Sequence, residues 1–162
     1  GEYIYGYFTK AGELYKIYQP KNKDKKYIKV RQYIQGSEQL KGYDYLIIAS
    51  GIKDIGSLKS LKLHVDYVAP DSENSMIPKE QIVKWKKQYK KVMVMFDNDE
   101  PGIKAMKKYR QMYQTPCILL NLSKDAADSV KDHGPGKVLR KVVPLIHAHI
   151  QEEELTDLLT YS

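Results

Sequence analysis

Two rhythms of hydrophobic and polar positions divide this chain. Over residues 3–34 apolar and polar side chains alternate in short runs broken by turn residues, the period-two mark of half-buried strands. Residues 3–8 and 14–18 flank a turn at Lys10-Ala11-Gly12, and after Pro20 to Asp24 a third run covers residues 26–33. In that third run Lys and Arg alternate with apolar residues, which predicts one buried face and one basic face. The basic face could follow a phosphate backbone, and the same pattern suits an outer strand that uses lysine to discourage edge-to-edge pairing.

From residue 43 onward the rhythm changes. Tyr45-Leu46-Ile47-Ile48-Ala49 is continuously apolar, as a strand buried on both faces must be, and it ends at Ser50-Gly51. Helical spacing follows through Ile55, Leu58 and Leu61, then a strand over residues 65–69 and a polar loop to Ile77. Pro78 opens a helix over residues 79–89 that turns Ile82, Val83, Trp85 and Tyr89 inward and lysines outward. A third strand, residues 92–96, precedes a helix over residues 102–113. A fourth, residues 117–120, leads into a helix through Lys131 that His133-Gly134-Pro135-Gly136 breaks. A last helical stretch, interrupted near Pro144, carries Leu145, Ile146, Ile150, Leu155 and Leu158. Strands alternating with helices over short connections predict an α/β fold whose four-stranded, mainly parallel sheet is covered on both sides. The expected division is a basic β-rich subdomain over residues 1–42, an α/β domain over 43–134 and a helical segment over 135–162.

Composition narrows the function classes. The chain has 162 residues, room for one large core and a small appendage. Its one cysteine, Cys117, excludes an intramolecular disulfide and a cysteine-rich zinc site, and points to a reducing compartment. No apolar run is long enough to span a bilayer, so no membrane partner and a cytoplasmic location are expected. Twenty-seven Lys and Arg against 20 Asp and Glu give a formal charge of +7, which favours a polyanionic partner. Lys21, Lys23, Lys25, Lys26, Lys29 and Arg31 crowd one short region and are the expected nucleic-acid contacts. The chain holds 14 Tyr and only 2 Phe, so its aromatic surface suits a wet interface or stacking on bases.

The chemistry concentrates where strands end. Phe96 is followed by Asp97-Asn98-Asp99, placing two carboxylates at a strand tip, and in open α/β sheets ligands bind outside the carboxyl ends of the strands. Asp54 follows the first parallel strand, and Asp125 and Asp128 follow the fourth. Several carboxylates without His or Cys suit Mg²⁺ or Mn²⁺, the ions of phosphate chemistry. Each acid also has a local reading: Asp99 as a helix cap, Asp54 as a first-turn acid favoured by the helix dipole, Asp125 and Asp128 beside a Ser123 cap. Lys53 and Lys124 stand beside the acids as candidates for nucleotide phosphates, or as solvated lysines.

The order strand-x-x-Gly-x-Lys-Asp (Ser50 to Asp54), Phe-Asp-x-Asp-x-x-Gly (Phe96 to Gly102) and Lys-Asp-x-x-Asp (Lys124 to Asp128) resembles the Toprim domain, most closely that of DnaG-type and phage primases. The likeness covers roughly residues 43–134, and the Gly-x-Leu-x-Lys-Ile-Tyr pattern at Gly12 to Tyr18 is similar to the β-rich subdomain preceding it in phage primases. The resemblance implies a primase catalytic core making short RNA primers on single-stranded DNA from nucleoside triphosphates, in a bacterial or phage-infected cell, with a replicative helicase as a further partner. It implies that Asp97 and Asp99 hold Mg²⁺ or Mn²⁺, that Asp54 acts with them, and that Asp125 and Asp128 complete the site. A zinc-binding template module is expected to be absent, elsewhere in a longer chain, or on a partner. In one place the chain departs from the family: Ser50 stands where the family has Glu, and Glu73, on the loop after the neighbouring strand, is the expected replacement acid. A Toprim nuclease and a non-catalytic Toprim binding module are the alternatives.

Overall fold

The computed structural model describes residues 3–72, 75–150 and 158–159. Its chain begins with an antiparallel sheet of three strands, β1 (Tyr5–Phe8), β2 (Leu14–Tyr18) and β3 (Tyr27–Lys29), in that order. β3 is shorter than the alternation predicts. Past Lys29 the amides of Val30 and Arg31 both turn to the Tyr15 carbonyl, a bulge that takes the chain out of the ladder. Residues beyond it pack back on β2, with the Tyr33 ring 4.4 Å from that of Tyr15.

A 3₁₀ turn (Ser37–Gln39) leads to the parallel sheet. Its strands β4 (Tyr45–Ala49), β5 (Val65–Val68) and β6 (Lys91–Met95) lie in the order β5-β4-β6, all parallel. Apart from Asp66 in β5 and Lys91 at the start of β6, the strands are apolar on both faces, because helices cover both. One face packs Tyr45, Ile47, Tyr67 and Met93 against α1 (Ile52–Lys59), α4 (Ala126–His133) and α5 (Pro135–His147). The other packs Leu46, Ile48, Val68, Val92 and Val94 against α2 (Lys79–Gln88) and α3 (Glu100–Tyr113). Strict alternation between the two cores is what the continuous apolar runs encode.

Two expected features differ in extent. Residues 117–120 run beside β6 where the fourth strand belongs, but only one parallel bridge, Val94 with Cys117, joins them. Leu122 N–H then donates to Leu120 O at 2.9 Å, a three-residue turn that bends the segment off the ladder. The expected interruption near Pro144 is not seen: α5 runs through it to His147, carried by Val138, Val142 and Ile146, all fully buried. Leu155 lies outside the described residues. Among the described residues no helix is long and apolar enough to cross a membrane.

The two sheets meet at the carboxyl end of β5. Gln35 and Ala69 exchange backbone hydrogen bonds of 2.9 Å, Lys16 Nζ donates to the Asp71 carbonyl at 2.9 Å, and Lys29 Nζ lies 3.1 Å from the Asp71 carboxylate. Between them the chain is held by Asp66 of β5, a buried carboxylate that accepts from the amides of Lys41 and Gly42 and from the Tyr89 hydroxyl.

Candidate active site

The helix after β4 and the helix after β6 lie on opposite faces of the sheet, so the tips of these neighbouring strands border a crevice. Ser50 leaves the tip of β4 and Asp97 follows that of β6. The Asp97 N–H donates to Ser50 Oγ at 3.0 Å and stitches the tips together. The turn that carries Asp97 and Asp99 is fixed from two sides. Asp99 caps α3, its Oδ1 accepting from Gly102 N at 2.8 Å, and Asn98 Nδ2 donates to Asn121 Oδ1 at 3.0 Å. Gly102 is required by close approach: a Cβ there would sit 2.2 Å from the Asp97 carbonyl oxygen.

Asp54, in the first turn of α1, is 7% exposed. Its Oδ1 accepts from Ala127 N, in the first turn of α4, at 3.0 Å, while Asp125 caps the same helix by accepting from Asp128 N at 2.7 Å. Two of α4's orphan amides are thus satisfied by carboxylates from two different segments. Burial pushes the Asp54 carboxyl up to about 7; the Ala127 amide opposes the rise, and the charges of Asp125, Asp97 and Asp128 add to it. Three of the expected acids therefore stand near enough to a fourth to disfavour its ionisation.

The expected residues are placed as follows. Asp97 is buried, Asp99 and Asp125 are half-buried, and Asp128 is exposed. Lys124 Nζ lies 3.8 Å from Asp99 Oδ2 and is otherwise open, and Lys53 is exposed on α1. Lys21, Lys23, Lys25 and Lys26 are exposed on the β2–β3 connection. Lys29 and Arg31 are exposed too, but each has an anionic partner, Asp71 and Glu13 respectively. Glu73 lies outside the described residues. Ser123 does not cap α4; its hydroxyl donates to Asp132 at 2.9 Å.

Among the described residues no three acids, histidines or cysteines converge on one point as they stand. The donor set still fits Mg²⁺, which keeps several waters and binds proteins through one or two carboxylates plus substrate phosphate. A cation at the crevice would also offset the charges of Asp97, Asp125 and Asp128, which add to the effect of burial on Asp54. Zinc has no comparable set of soft ligands here.

A cavity of about 480 Å³ opens beside Ser50, between Pro70, Phe96 and the start of α3, with Glu100, Lys104 and Lys108 on its rim. Lys104 and Lys108 are not among the residues expected at the site from sequence. The available signal was their i, i+4 spacing one turn after Asp99-Glu100.

A family model described as Toprim-like matches residues 47–132. No curated protein matches the sequence. Among solved structures, the Aquifex aeolicus primase with its zinc-binding and RNA polymerase domains aligns at TM-score 0.60 and 19% identity, covering 96% of this chain and 45% of that one. The primase fragment of the bacteriophage T7 primase-helicase aligns at 0.62 and 18%, covering 86% and 62%. A DnaG primase catalytic domain bound to single-stranded DNA aligns at 0.57 and 12%, covering 93% and 55%. At these identities the likeness is one of fold, and the chain spans between 45% and 62% of those structures.

Proposed function

Because the chain belongs to the Toprim-like family, we propose that it is the catalytic core of a DNA primase, or a piece of one, joining nucleoside triphosphates into short RNA primers on single-stranded DNA. The observation that carries this reading is the gathering of acids beyond the carboxyl ends of the strands, where the buried Asp54 accepts from the first turn of α4 and lies within the influence of Asp97, Asp125 and Asp128. The primase fold of the solved neighbours, one of them described as bound to single-stranded DNA, supports it.

In this reading Asp97 and Asp99 hold Mg²⁺ or Mn²⁺, with Asp125, Asp128 and Glu73 completing or tuning the site. The bound ion would supply charge stabilisation at the reacting phosphate. The chain's own residues do the rest. Ser50 and Gly102 fix the backbone of Asp97, and the α3 cap fixes Asp99. The 3′-hydroxyl of the growing primer attacks the α-phosphorus of the incoming nucleotide; the new O–P bond forms as the bond to pyrophosphate breaks. Asp54, buried beside these acids, is the carboxylate suited to take the hydroxyl proton. Lys53 and Lys124 face the phosphates, and the β2–β3 lysines with Lys29 and Arg31 face the nucleic-acid backbone. A replicative helicase is the further partner that the T7 likeness suggests.

Ser50 favours a second reading, a Toprim module that binds nucleic acid without turnover, because its hydroxyl is spent on the Asp97 amide and carries no charge. Titration with Mn²⁺ and Mg²⁺ by calorimetry, on the wild type and on Asp97→Asn, comes first. Binding lost in the variant, followed by template-dependent incorporation of ribonucleotides, supports the primase. Ion binding with degradation of the DNA and no incorporation replaces it by a Toprim nuclease. No ion binding even with nucleotide present leaves the binding module.

A further inference from the structure

The cavity beside Ser50 lies on the α3 side of the strand tips, whereas Asp54 and Asp125 stand with α1 and α4 on the other side. Pro70, Met76 and Phe96 give it apolar walls, and those walls are fixed. The Phe96 ring stands edge-on to that of Tyr109, with centroids 5.4 Å apart and planes inclined by 84°. The Tyr109 hydroxyl accepts from the Ile77 N–H at 2.9 Å, which pins the segment after Met76 to α3. A volume of about 480 Å³ with such walls suits one planar organic group and its polar attachments.

The rim is polar, and its charge changes sign along α3. Glu100, Lys104 and Lys108 follow at i, i+4 spacing and form one stripe on the helix. Glu100 stands at the end next to the Asp97 and Asp99 turn, and the two lysines carry the stripe away from it. Both lysines are exposed, and no ion pair reaches either of them among the described residues. Solvated lysines at this spacing are ordinary on a helix. Here they border a cavity, while Lys107 and Arg110 of the same helix, also exposed, do not.

An anionic ligand in this cavity is turned by its rim. Its negative end lies along Lys104 and Lys108, and its other end faces the acids. An incoming nucleotide needs the reverse, because its phosphates must meet the ion at Asp97 and Asp99. Joining the first two nucleotides of a primer requires both orientations at once: one nucleotide presents its α-phosphorus, and the other presents a 3′-hydroxyl and keeps its own three phosphates.

We propose that the cavity holds the initiating nucleoside triphosphate, with its base against Pro70, Met76 and Phe96, its 3′-hydroxyl toward Asp97 and its 5′-triphosphate along Lys104 and Lys108. The 3′-oxygen bonds to the α-phosphorus of the incoming nucleotide as pyrophosphate leaves, the hydroxyl proton passes to Asp54, and the 5′-triphosphate is unchanged. This step rests on the primase reading; the pocket does not.

Calorimetry in chelator, with ATP, adenosine and inorganic tripolyphosphate, tests the pocket apart from the ion site. The wild type is expected to bind ATP about tenfold more tightly than either of the others. Lys104→Gln with Lys108→Gln should bring ATP down to the level of adenosine. Lys107→Gln with Arg110→Gln removes the same charge from the same helix outside the cavity and should change ATP binding by less than about twofold. ATP bound no more tightly than adenosine overturns the proposal, and so does equal weakening by the two pairs of substitutions. ATP bound no more tightly than tripolyphosphate reduces the site to a polyanion patch and overturns it as well. With template and Mn²⁺, the Lys104→Gln, Lys108→Gln chain should need about tenfold more nucleotide to start a primer, and should be much less impaired in extending a supplied primer that ends in a 5′-hydroxyl. Equal loss of starting and extending overturns the initiating role. A wild type that binds ATP as expected yet makes no primer keeps the pocket and counts against the primase reading.

Discussion

At the scale of single residues, the site depends on two that stand outside its set of carboxylates. Gly102 leaves room for the Asp97 carbonyl, and any side chain there must push it away. Gly102→Ala is expected to cost about 1–3 kcal/mol of stability, read from the urea midpoint, and to weaken Mn²⁺ binding in calorimetry, because the turn that aims Asp97 is displaced. Ser50 gives the Asp97 amide its acceptor. Ser50→Ala leaves that buried donor unsatisfied and should lower stability by about 1–2 kcal/mol without abolishing ion binding. Asp54 supplies a pH dependence whose sign can be worked out. Its carboxyl ionises near 4 when unfolded and at about 7 when folded. The folded chain therefore holds the extra proton between those values, and its stability falls as pH rises through that window, by on the order of a few kcal/mol in metal-free buffer. Urea midpoints measured in chelator between pH 5 and pH 8 should decline for the wild type and stay nearly level for Asp54→Asn.

At the scale of elements, the pattern of the chain was easiest to read where burial is complete. The runs at residues 45–49 and 92–96 could only be strands covered on both faces, and the helices that cover them announce themselves by spacing and by Pro78 and Pro101. The motifs that resemble Toprim placed the acids at the strand tips. What local pattern does not contain is contact between distant segments. Asp54 as a cap on α4 joins residues far apart in sequence, and nothing around Asp54 signals it. Asp66 sits in a strand whose neighbours are apolar, and its three donors come from the linker and from α2's end. The early end of β3 is of the same kind, since the Tyr15 carbonyl that captures Val30 and Arg31 belongs to another strand. The doubly capped α4 carries its own prediction. Asp125→Ala should cost about 1 kcal/mol, and Asp125→Ala with Asp54→Ala more than the sum of the single changes, since each carboxylate covers part of the exposed end the other leaves.

At the scale of the whole molecule, the antiparallel sheet is fastened to the carboxyl end of β5 by Gln35 and Ala69 and by two lysines on Asp71. Lys29→Ala leaves the buried Asp71 carboxylate without its ammonium and is expected to lower stability by about 1–2 kcal/mol, read by thermal unfolding. The strand order has a consequence for how the chain is made. The central strand β4 is synthesised first, with every residue destined for burial, and its two partners are not available until Val65 and Lys91 have followed. A nascent chain that has reached α2 thus holds an apolar strand with one bare flank and with both faces only partly covered. That interval, before β6 and α3 arrive, is when the chain exposes most of the surface that favours aggregation, whatever the stability of the finished fold.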